Sequence, residues 1–477
     1  MNITRREWLA IGLLTCLAVV AWLVVGSYPA FDAYYHLDWG RELFAGQVPT
    51  IGAYKAPTAH PLYLLVAAFV GAIFGGAAGQ WMVLVAVLSL LVCAWSIWRL
   101  GRTVFGFWPG LVAAVLVVAD PTLLLYAARA FPDLLFLALV FLAAALEAEK
   151  RRRGAAVMVL LAAAGLLRPE AWALAAAYWC WCVWPTDFVS GRRDFRFGLL
   201  ALVLAAPLLW GLFDWWAVGQ PLYALTETSS LAAALGRRRG LAEVPAALLD
   251  GLLGVLRSPV LALALVGIGI ELVRRRAVAL YVPAALIVIG LVTFLLVGIF
   301  GLSLLPRYLV IPSITLLLFA GYALAGWVEL PTRTALSRAW ASAAVVVVAL
   351  AVALTISQPG VFTRAADEVK FVRGVHADLV AVLGDPAVTA ARRCGPVSLP
   401  TFGLVPDSLW ILDAPQSAVV SRSDWQPTSG VALVFTDSKS HRRYGLADGT
   451  RADFDRVPLG FRLIARHGRI AAWSSCR

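Results

Sequence analysis

Charged residues are scarce in this sequence. Of its 477 residues, 14% are charged and 61% are hydrophobic. A soluble globular domain usually carries about 25% charged residues. The shortage of charge therefore excludes an ordinary water-soluble protein. Many apolar runs reach the roughly 20 residues that a helix needs to cross a bilayer, so we predict an all-α polytopic membrane protein.

Three further absences narrow the functional classes. The apolar runs lack the ten-residue alternation that is typical of outer-membrane barrels. The cysteines lack metal-ligand spacing, because Cys180 and Cys182 are separated by one tryptophan inside an apolar run. No internal repeat is visible, whereas secondary transporters usually consist of two related halves. These absences favour a helical membrane protein that is neither a zinc protein nor a typical transporter.

Positive charge is concentrated in short runs between the apolar segments. The net charge is +12, and we interpret these runs as orientation signals and headgroup contacts. The lipid bilayer is thus an expected partner and nucleic acid is not. We predict about eleven transmembrane helices in the cell membrane, with a cytoplasmic N-terminus. Residues 62–74 form a short apolar piece that we predict does not cross, and the loop with Arg192, Arg193 and Arg196 is predicted to be cytoplasmic.

The composition changes near residue 357. We predict a membrane domain at residues 1–356 and a small, extracytoplasmic α/β domain at residues 357–477. The second domain is expected to open with a helix at 364–383. Strands are predicted at 408–412 and 431–435, and a hairpin at 461–473 turns at His467-Gly468. Outside the cytoplasm, Cys394 and Cys476 can form a disulfide.

Ionisable side chains cluster in the first loop after the first predicted span. This stretch, YPAFDAYYHLDWGRELFAGQVPTIGAYKAPTAHP, lies beside an apolar run and carries Asp32, His36, Asp38, Arg41, Glu42, Lys55 and His60. Charges near hydrocarbon are costly, so the cluster indicates a water-filled cavity. The alternative is an ordinary exposed loop. A second predicted outer loop ends in ARAFPD, which contains Asp133.

Four local patterns are similar to one family. They are FDAYYHLDWGRELFAGQVP, KAPTAHPLYLL, ARAFPDLLFLAL and GLLRPEAW. In their order and spacing, over roughly residues 8 to 330, the chain resembles the GT-C fold of polyprenyl-phosphate-sugar-dependent glycosyltransferases. The resemblance is to the branch of protein O-mannosyltransferases and lipid A aminoarabinose transferases. One departure is that the family often has Asp-Glu in the first loop, whereas here Ala33 follows Asp32.

The resemblance implies a membrane glycosyltransferase with a polyprenyl-phosphate sugar as donor. Its acceptor would be an extracytoplasmic glycan, lipid or protein, and the sugar a hexose or a pentose. Asp32 is then the expected general base. Asp133 would orient the acceptor or, together with Asp32, hold a divalent metal ion. For either carboxylate the alternative is a helix N-cap. Pro169 is expected to break a helix, leaving Arg168 and Glu170 to pair with each other.

The same resemblance implies a site for the donor phosphate and one for the sugar. Lys55, His60 and Arg307 are the candidates for the phosphate, because a guanidinium suits fork-like phosphate contacts. The alternative for Lys55 is a side chain that reaches the headgroup level. Further candidates for substrate contact are Tyr34, Asp38 and Trp39, although aromatic residues at span ends also form interface belts. The alternative function is a transporter or flippase for a lipid-linked sugar.

Overall fold

The chain folds mainly into helices, followed by a small sheet near its C-terminus. The computed structural model describes residues 5–183, 198–275, 279–330, 334–357, 360–447 and 455–476. The helices, numbered here in chain order, are α1 (Arg5–Val25), α2 (Phe31–Phe44), α3 (Pro61–Phe74), α4 (Ala78–Val104), α5 (Phe107–Ala119), α6 (Pro121–Ala128), α7 (Pro132–Glu149), α8 (Ala155–Gly165), α9 (Glu170–Val183), α10 (Leu200–Val218), α11 (Tyr223–Ala234), α12 (Val244–Arg274), α13 (Tyr281–Ile299), α14 (Val310–Ala325), α15 (Ala335–Ser357), α16 (Gly360–Leu383), α17 (Pro386–Ala391), α18 (Val405–Leu412) and α19 (Ser438–Ala447). The strands are β1 (Val397–Leu399), β2 (Val419–Ser421), β3 (Gly430–Phe435), β4 (Arg462–His467) and β5 (Ile470–Ser475).

The helices confirm a polytopic membrane protein. Six helical stretches of the described residues are long and apolar enough to cross a membrane, or seven if the bent pair α5 and α6 counts as one. The total of eleven stays a prediction. The predicted cytoplasmic loop with Arg192, Arg193 and Arg196 lies outside the described residues.

Helices α3 and α4 follow each other with only a short turn between them. Together they cover Pro61–Val104, which is 44 residues. At 1.5 Å per residue, a straight helix of that length would measure about 66 Å, roughly twice the hydrocarbon thickness. The chain turns at Gly75, whose φ is +51° and therefore suits glycine. The predicted break after residue 74 is thus present, whereas whether α3 crosses the bilayer stays a prediction.

The centre of the membrane part is α14. In the most apolar part of the stretch Pro306–Glu329, 94% of the residues are buried. Such burial is expected for a helix that is apolar on every side. It packs against α5, α12 and α13, while α4 packs against α5 and α7. Arg307, just before α14, and Asp133, in the first turn of α7, belong to the candidate site.

The break at Pro169 is confirmed. Helix α8 ends at Gly165 and α9 begins at Glu170, so Arg168 lies in the connection between them. A second break interrupts α12, where Arg257 has φ +63° two residues before Pro259. Proline inside a helix removes a hydrogen bond and clashes with the preceding turn, which accounts for this kink.

The C-terminal segment has its own sheet and its own apolar core. The strand order is β2-β1-β3-β5-β4, in which β1 is parallel to β2 and β3, and β5 is antiparallel to β3 and β4. The core includes Leu379, Val397 and Leu433. The predicted hairpin is confirmed as β4 and β5. The predicted domain boundary falls where α15 ends at Ser357, and the division itself stays a prediction.

One predicted strand is wrong. Residues 408–412 belong to α18. Pro406 lies in the first turn, where it suits a helix, and Asp407 is favourable next to the positive end of the helix dipole. Val405 and Leu409, four residues apart, are buried on one face. The buried residues therefore have the spacing of a helix. The high apolar content of the segment alone does not distinguish a strand from a helix.

A disulfide joins Cys394 to Cys476, as the sequence allowed. The bridge closes a loop of 82 residues, and the chain-entropy relation gives a stabilisation of about 4 kcal/mol for a loop of that size. It ties the residue after β5 to the turn before β1. The bridge therefore encloses the whole sheet.

We predict that replacing both bridged cysteines by serine lowers the stability of the C-terminal segment by about 4 kcal/mol. The measurement is urea unfolding of the full-length protein in detergent, followed by protease sensitivity of that segment. Cys180→Ser, in the membrane part, is the matched control and should leave the midpoint unchanged. An unchanged midpoint in the double variant would refute the stabilising role of the bridge.

Candidate active site

Helix α2 carries the first-loop cluster and is held closely on two sides. Its N-cap, Ala30, has extended backbone angles, and the Ala30 N–H donates to the backbone oxygen of Arg129 at 2.7 Å. This bond joins the first loop to the second. Near the other end, a Cβ on Gly40 would lie 2.7 Å from the Cα of Ala68. Only glycine at this position allows α2 and α3 to approach so closely.

Asp32 and Arg307 form an ion pair. The Nη1 of Arg307 lies 3.4 Å from Oδ2 of Asp32, although the two residues are 275 positions apart. The side chains are 17% exposed for Asp32 and 23% for Arg307. The pair is therefore enclosed on most sides but still reachable from solvent. The structure thus brings the predicted base to one predicted phosphate ligand.

Neither predicted catalytic carboxylate is an N-cap. The N-cap of α2 is Ala30 and that of α7 is Phe131, so Asp32 and Asp133 both lie inside the first helical turn. The alternative that these carboxylates are helix N-caps is therefore wrong for both residues. Asp120 does cap a helix, since its Oδ1 accepts from the N–H of Thr122 and of Leu123.

Asp133 is fully buried and is paired with Arg168. The Nη2 of Arg168 lies 2.7 Å from Oδ1 of Asp133. Its Nη1 donates to Oε1 of Glu170 at 2.9 Å, so the predicted pairing of Arg168 with Glu170 is confirmed. A buried guanidinium between two carboxylates has its charge compensated. The connection between α8 and α9 is thereby fixed to the start of α7.

Tyr308 lies between the two guanidinium groups. Its ring centroid is 5.4 Å from Cζ of Arg168 and 5.8 Å from Cζ of Arg307. Both arginines keep a buried Nε–H that has no hydrogen-bond partner within the described part of the chain. An unpaired buried donor is costly. These N–H groups are therefore suited to an incoming anion.

His36 connects Asp32 to His60. Its Nδ1–H donates to the backbone oxygen of Asp32 at 2.6 Å, and the backbone N–H of His60 donates to its Nε2 at 3.0 Å. A backbone N–H can only donate, so Nε2 must be unprotonated and His36 neutral. Burial lowers the pKa of His36 to about 4, which agrees with this assignment.

His60 is also neutral. Burial lowers its pKa well below the ordinary value, and the nearby charges of Arg168 and Arg307 lower it further. The ring centroids of His60 and His36 lie 5.5 Å apart and the two rings are stacked. At neutral pH it offers a phosphate hydrogen bonding without positive charge. Its role as a phosphate ligand stays a prediction.

Lys55 contacts the C-terminal segment. Its Nζ is 5.2 Å from the ring centroid of Tyr54 and 5.0 Å from that of Phe402. Its φ is +49°, a region that is uncommon for residues with a side chain. The ammonium group is thus held by two aromatic faces. Its role as a phosphate ligand also stays a prediction.

The three predicted substrate contacts are buried. Tyr34 and Trp39 belong to the apolar cores around α2, and Trp39 is 0% exposed. Asp38 is buried as well and accepts from Nη2 of Arg41 at 3.1 Å. Burial raises the pKa of the Asp38 carboxyl. The geometry adds no support to direct substrate contact, and these roles stay predictions.

A metal ion at Asp32 and Asp133 is not supported. No group of three or more His, Cys, Asp or Glu side chains within the described ranges is arranged to hold a metal. Each of the two carboxylates faces an arginine instead. A guanidinium already supplies the positive charge that a metal would bring.

Two comparisons with known proteins bear on this geometry. Residues 55–210, less than half of the chain, match the family model of dolichyl-phosphate-mannose-protein mannosyltransferases. The structure is similar to that of ArnT from Cupriavidus metallidurans bound to undecaprenyl phosphate. The TM-score is 0.55 at 15% identity, covering 99% of this chain and 98% of that one. For ArnT in the apo state the TM-score is 0.53, also at 15% identity, with 98% of each chain covered. The chain has the GT-C glycosyltransferase fold. No curated protein sequence matches it.

Within this GT-C chain, sequence reasoning missed several contacts of the site. Asp133 pairs with Arg168, and Tyr308 lies between Arg168 and Arg307. The GLLRPEAW pattern singled out the arginine, but nothing local identifies its partner 35 positions earlier. His36 was part of the predicted first-loop cluster, but its contacts with Asp32 and His60 were not predicted, although a histidine four residues after Asp32 lies on the same helix face. That spacing was the available signal.

We predict that the protein loses stability as the pH falls from about 6.5 to about 4. The folded state holds His36 at a pKa of about 4, against about 6.5 in the unfolded chain. Between these values the unfolded state binds more protons, so acid favours unfolding by up to about 3 kcal/mol from this residue. His36→Gln keeps an acceptor and does not titrate, so its apparent melting temperature should fall less between pH 7 and pH 5.

His441→Gln is the control for this prediction. His441 is 41% exposed and pairs with Asp455 in the C-terminal segment, away from α2. The control variant should show the same pH dependence as the parent. If His36→Gln also matched the parent, the buried neutral state of His36 would be refuted.

Proposed function

We propose that this protein is a glycosyltransferase that moves a sugar from a polyprenyl phosphate to a hydroxyl-bearing acceptor outside the cytoplasm. The acceptor is a glycan, lipid or protein of the cell envelope, and the sugar a hexose or a pentose. Asp32 acts as the general base. Arg307, with Lys55 and His60, receives the donor phosphate, and Asp133 acts through Arg168 as part of the same charged cluster.

The observation that carries this proposal is the Asp32–Arg307 pair in a GT-C fold. Transfer requires one carboxylate to take a proton and one cation to hold the departing phosphate. Here the carboxylate of Asp32 and the guanidinium of Arg307 lie 3.4 Å apart, and both side chains are partly exposed. Asp32 lies at the start of α2, and Arg307 lies just before α14. ArnT, which has the same fold, was solved with undecaprenyl phosphate bound. That ligand contains the leaving group that the proposal requires.

The reaction is a displacement at the anomeric carbon of the donor sugar. The acceptor oxygen forms a bond to that carbon while the bond from the carbon to the phosphate oxygen breaks. The polyprenyl phosphate leaves with the electron pair, and Arg307 stabilises its negative charge. The acceptor proton moves to the carboxylate of Asp32. Atoms and charge balance without any further reactant.

The buried arginine donors fit this step. The Nε–H of Arg307 lies beside the pair without a partner in the described chain, and a phosphate oxygen would satisfy it. Two N–H groups of one guanidinium can then contact two phosphate oxygens, which is the fork geometry that lysine lacks. Asp133 and Glu170 keep Arg168 charge-compensated next to this position.

The proposed orientation places the site and the C-terminal domain, residues 357–477, outside the cytoplasm. A disulfide such as Cys394–Cys476 is typical of oxidising compartments. Helix α15 has 23 residues and is about 34 Å long, enough to cross the bilayer. Residue 334, before α15, and the C-terminal domain after it would then lie on opposite sides, and the N-terminus would be cytoplasmic.

We predict that cysteines introduced at Thr334 and Thr428 react differently with a membrane-impermeant thiol reagent. Both positions are exposed. In intact cells Thr428→Cys should be labelled and Thr334→Cys protected, whereas both should be labelled in permeabilised cells. The parent chain gives the background from its native cysteines. Labelling of Thr334→Cys alone would invert the proposed topology.

The base is tested by Asp32→Asn. The amide keeps the shape of the side chain but cannot accept a proton, so transfer from labelled polyprenyl-phosphate sugars to envelope acceptors should fall by about a hundredfold to ten-thousandfold. Binding of undecaprenyl phosphate should change little, because the base does not hold the phosphate. Asp250→Asn is the matched control: it alters an exposed ion pair with Arg238 and should retain the parental rate.

Two results would contradict this assignment. If Asp32→Asn kept more than about a tenth of the parental transfer, Asp32 would not be the base. If the parent bound undecaprenyl phosphate and carried labelled donor across vesicles without transferring sugar, the protein would be a transporter.

A further inference from the structure

The C-terminal segment contacts α2 directly. Helix α18 packs on α2, and Arg41 in the last turn of α2 makes the polar contacts. Its Nη1 donates to Oδ1 of Asp413 at 2.7 Å, and its Nη2 donates to the backbone oxygen of Ala414 at 3.0 Å. Its Cζ lies 5.4 Å from the ring centroid of Trp410. One guanidinium therefore binds the end of α18 in three ways.

Arg41 also binds its own helix. The same Nη2 donates to Oδ1 of the buried Asp38 at 3.1 Å. The pair with Asp413 alone would contribute little, because Asp413 is 86% exposed and surface ion pairs are worth about 0–1 kcal/mol. The contact between α2 and α18 therefore depends on all the contacts of Arg41 together. A planar fork reaches a carboxylate, a carbonyl and an aromatic face at once, which an ammonium group cannot do.

Other contacts of the same segment fall on the opposite end of α2 and on the loop after it. The ring of Phe402 lies 5.4 Å from that of Phe31, at the first residue of α2. It also faces the ammonium group of Lys55 at 5.0 Å. The hydroxyl of Tyr54 donates to the backbone oxygen of Ser423 at 3.2 Å. The C-terminal segment thus covers α2 along its length.

We propose that Arg41 is a positioning residue for the transfer reaction: it seats α2 on the C-terminal domain and thereby sets the place of the Asp32 carboxylate. This inference rests on the proposed function. It assigns the C-terminal domain a part in the chemistry, although none of its residues is proposed to touch the reacting atoms.

The geometry of the helix explains how a remote contact reaches the site. Arg41 lies nine positions after Asp32, which is about 13 Å along a helix, and α2 is continuous over that length. The Asp32–Arg307 distance of 3.4 Å is already near the limit of a hydrogen bond. A shift of about 1 Å in a reacting group can cost about a hundredfold in rate. Loosening the Arg41 end should therefore lower kcat more than it lowers stability.

The experiment compares purified full-length variants on the donor that the parent transfers. Arg41→Ala and Arg41→Lys should lower kcat by about tenfold to a hundredfold. The KM for the donor and the affinity for undecaprenyl phosphate should stay close to the parental values, and the variants should remain folded in detergent. Arg443→Ala is the matched control, because it removes an ion pair with Glu368 inside the C-terminal segment without touching α2. It should keep the parental kcat.

Asp413→Asn tests whether Arg41 acts through the charge of Asp413 or through the geometry of its hydrogen bonds. It keeps an acceptor oxygen for Arg41, and Ala414 and Trp410 remain, so its kcat should stay within about threefold of the parent. If Arg41→Ala does not fold, Arg41→Lys and Trp410→Phe carry the test, since both keep part of the contact and should still lower kcat.

The failure of this inference can be told apart from the failure of the proposed function. A parent protein that transfers no sugar would overturn the proposed function. A parent that transfers sugar together with an Arg41→Ala variant of equal kcat would overturn only the positioning role. A fall in donor affinity by the same factor as the fall in kcat would also overturn it, because the loss of Arg41 would then disturb the whole site and not the position of Asp32 alone.

Discussion

The candidate site depends on the pairing of charges that the membrane part would otherwise have to leave uncompensated. Arg307 meets Asp32, and Arg168 meets Asp133 and Glu170. Removing one partner from a buried ion pair leaves a charge whose desolvation is not offset, at a cost of about 3–5 kcal/mol. These pairs therefore fix the loops before α2, α7, α9 and α14 relative to one another. The place where a donor phosphate and an acceptor would meet is a consequence of this arrangement.

We interpret the cluster as more than a set of structural pairs. A purely structural network satisfies its donors, whereas both arginines here keep a buried Nε–H that no other described residue satisfies. The Asp32–Arg307 contact is also longer than the others and remains partly exposed. The inner pair of Arg168 thus serves as support, while the outer pair at Asp32 is open to a ligand. His36, neutral and fully buried, holds the backbone of Asp32 in place between them.

Local features of the fold were predictable from the sequence, because they depend on neighbouring residues. The break at Pro169 and the turn at His467-Gly468 follow from backbone preferences. The partner of Arg168 was not predictable, since any buried carboxylate could compensate it. The wrong strand prediction at residues 408–412 has a similar cause. A sequence of five mixed apolar and polar residues is compatible with a strand or a helix, and the choice depends on Pro406 and on packing against α2.

The contribution of the C-terminal segment was beyond prediction for a related reason. Arg41 was part of the predicted first-loop cluster, but its contact with Trp410 and that of Phe402 with Phe31 arise only when two distant segments meet. The exposed part of the chain therefore completes the environment of α2. In physical terms, the membrane part supplies the charged pairs, and the C-terminal segment contacts the helix that carries Asp32 at both of its ends.

The most direct test of the central claim is the affinity of undecaprenyl phosphate for the parent protein and for Arg307→Lys. The substitution keeps the charge that pairs with Asp32 but removes the planar fork and the Nε–H. The account predicts that the parent binds undecaprenyl phosphate and that Arg307→Lys binds it about tenfold more weakly or less well still, corresponding to a loss of at least about 1.4 kcal/mol. Equal affinity of the two proteins would contradict the account and place the phosphate site elsewhere.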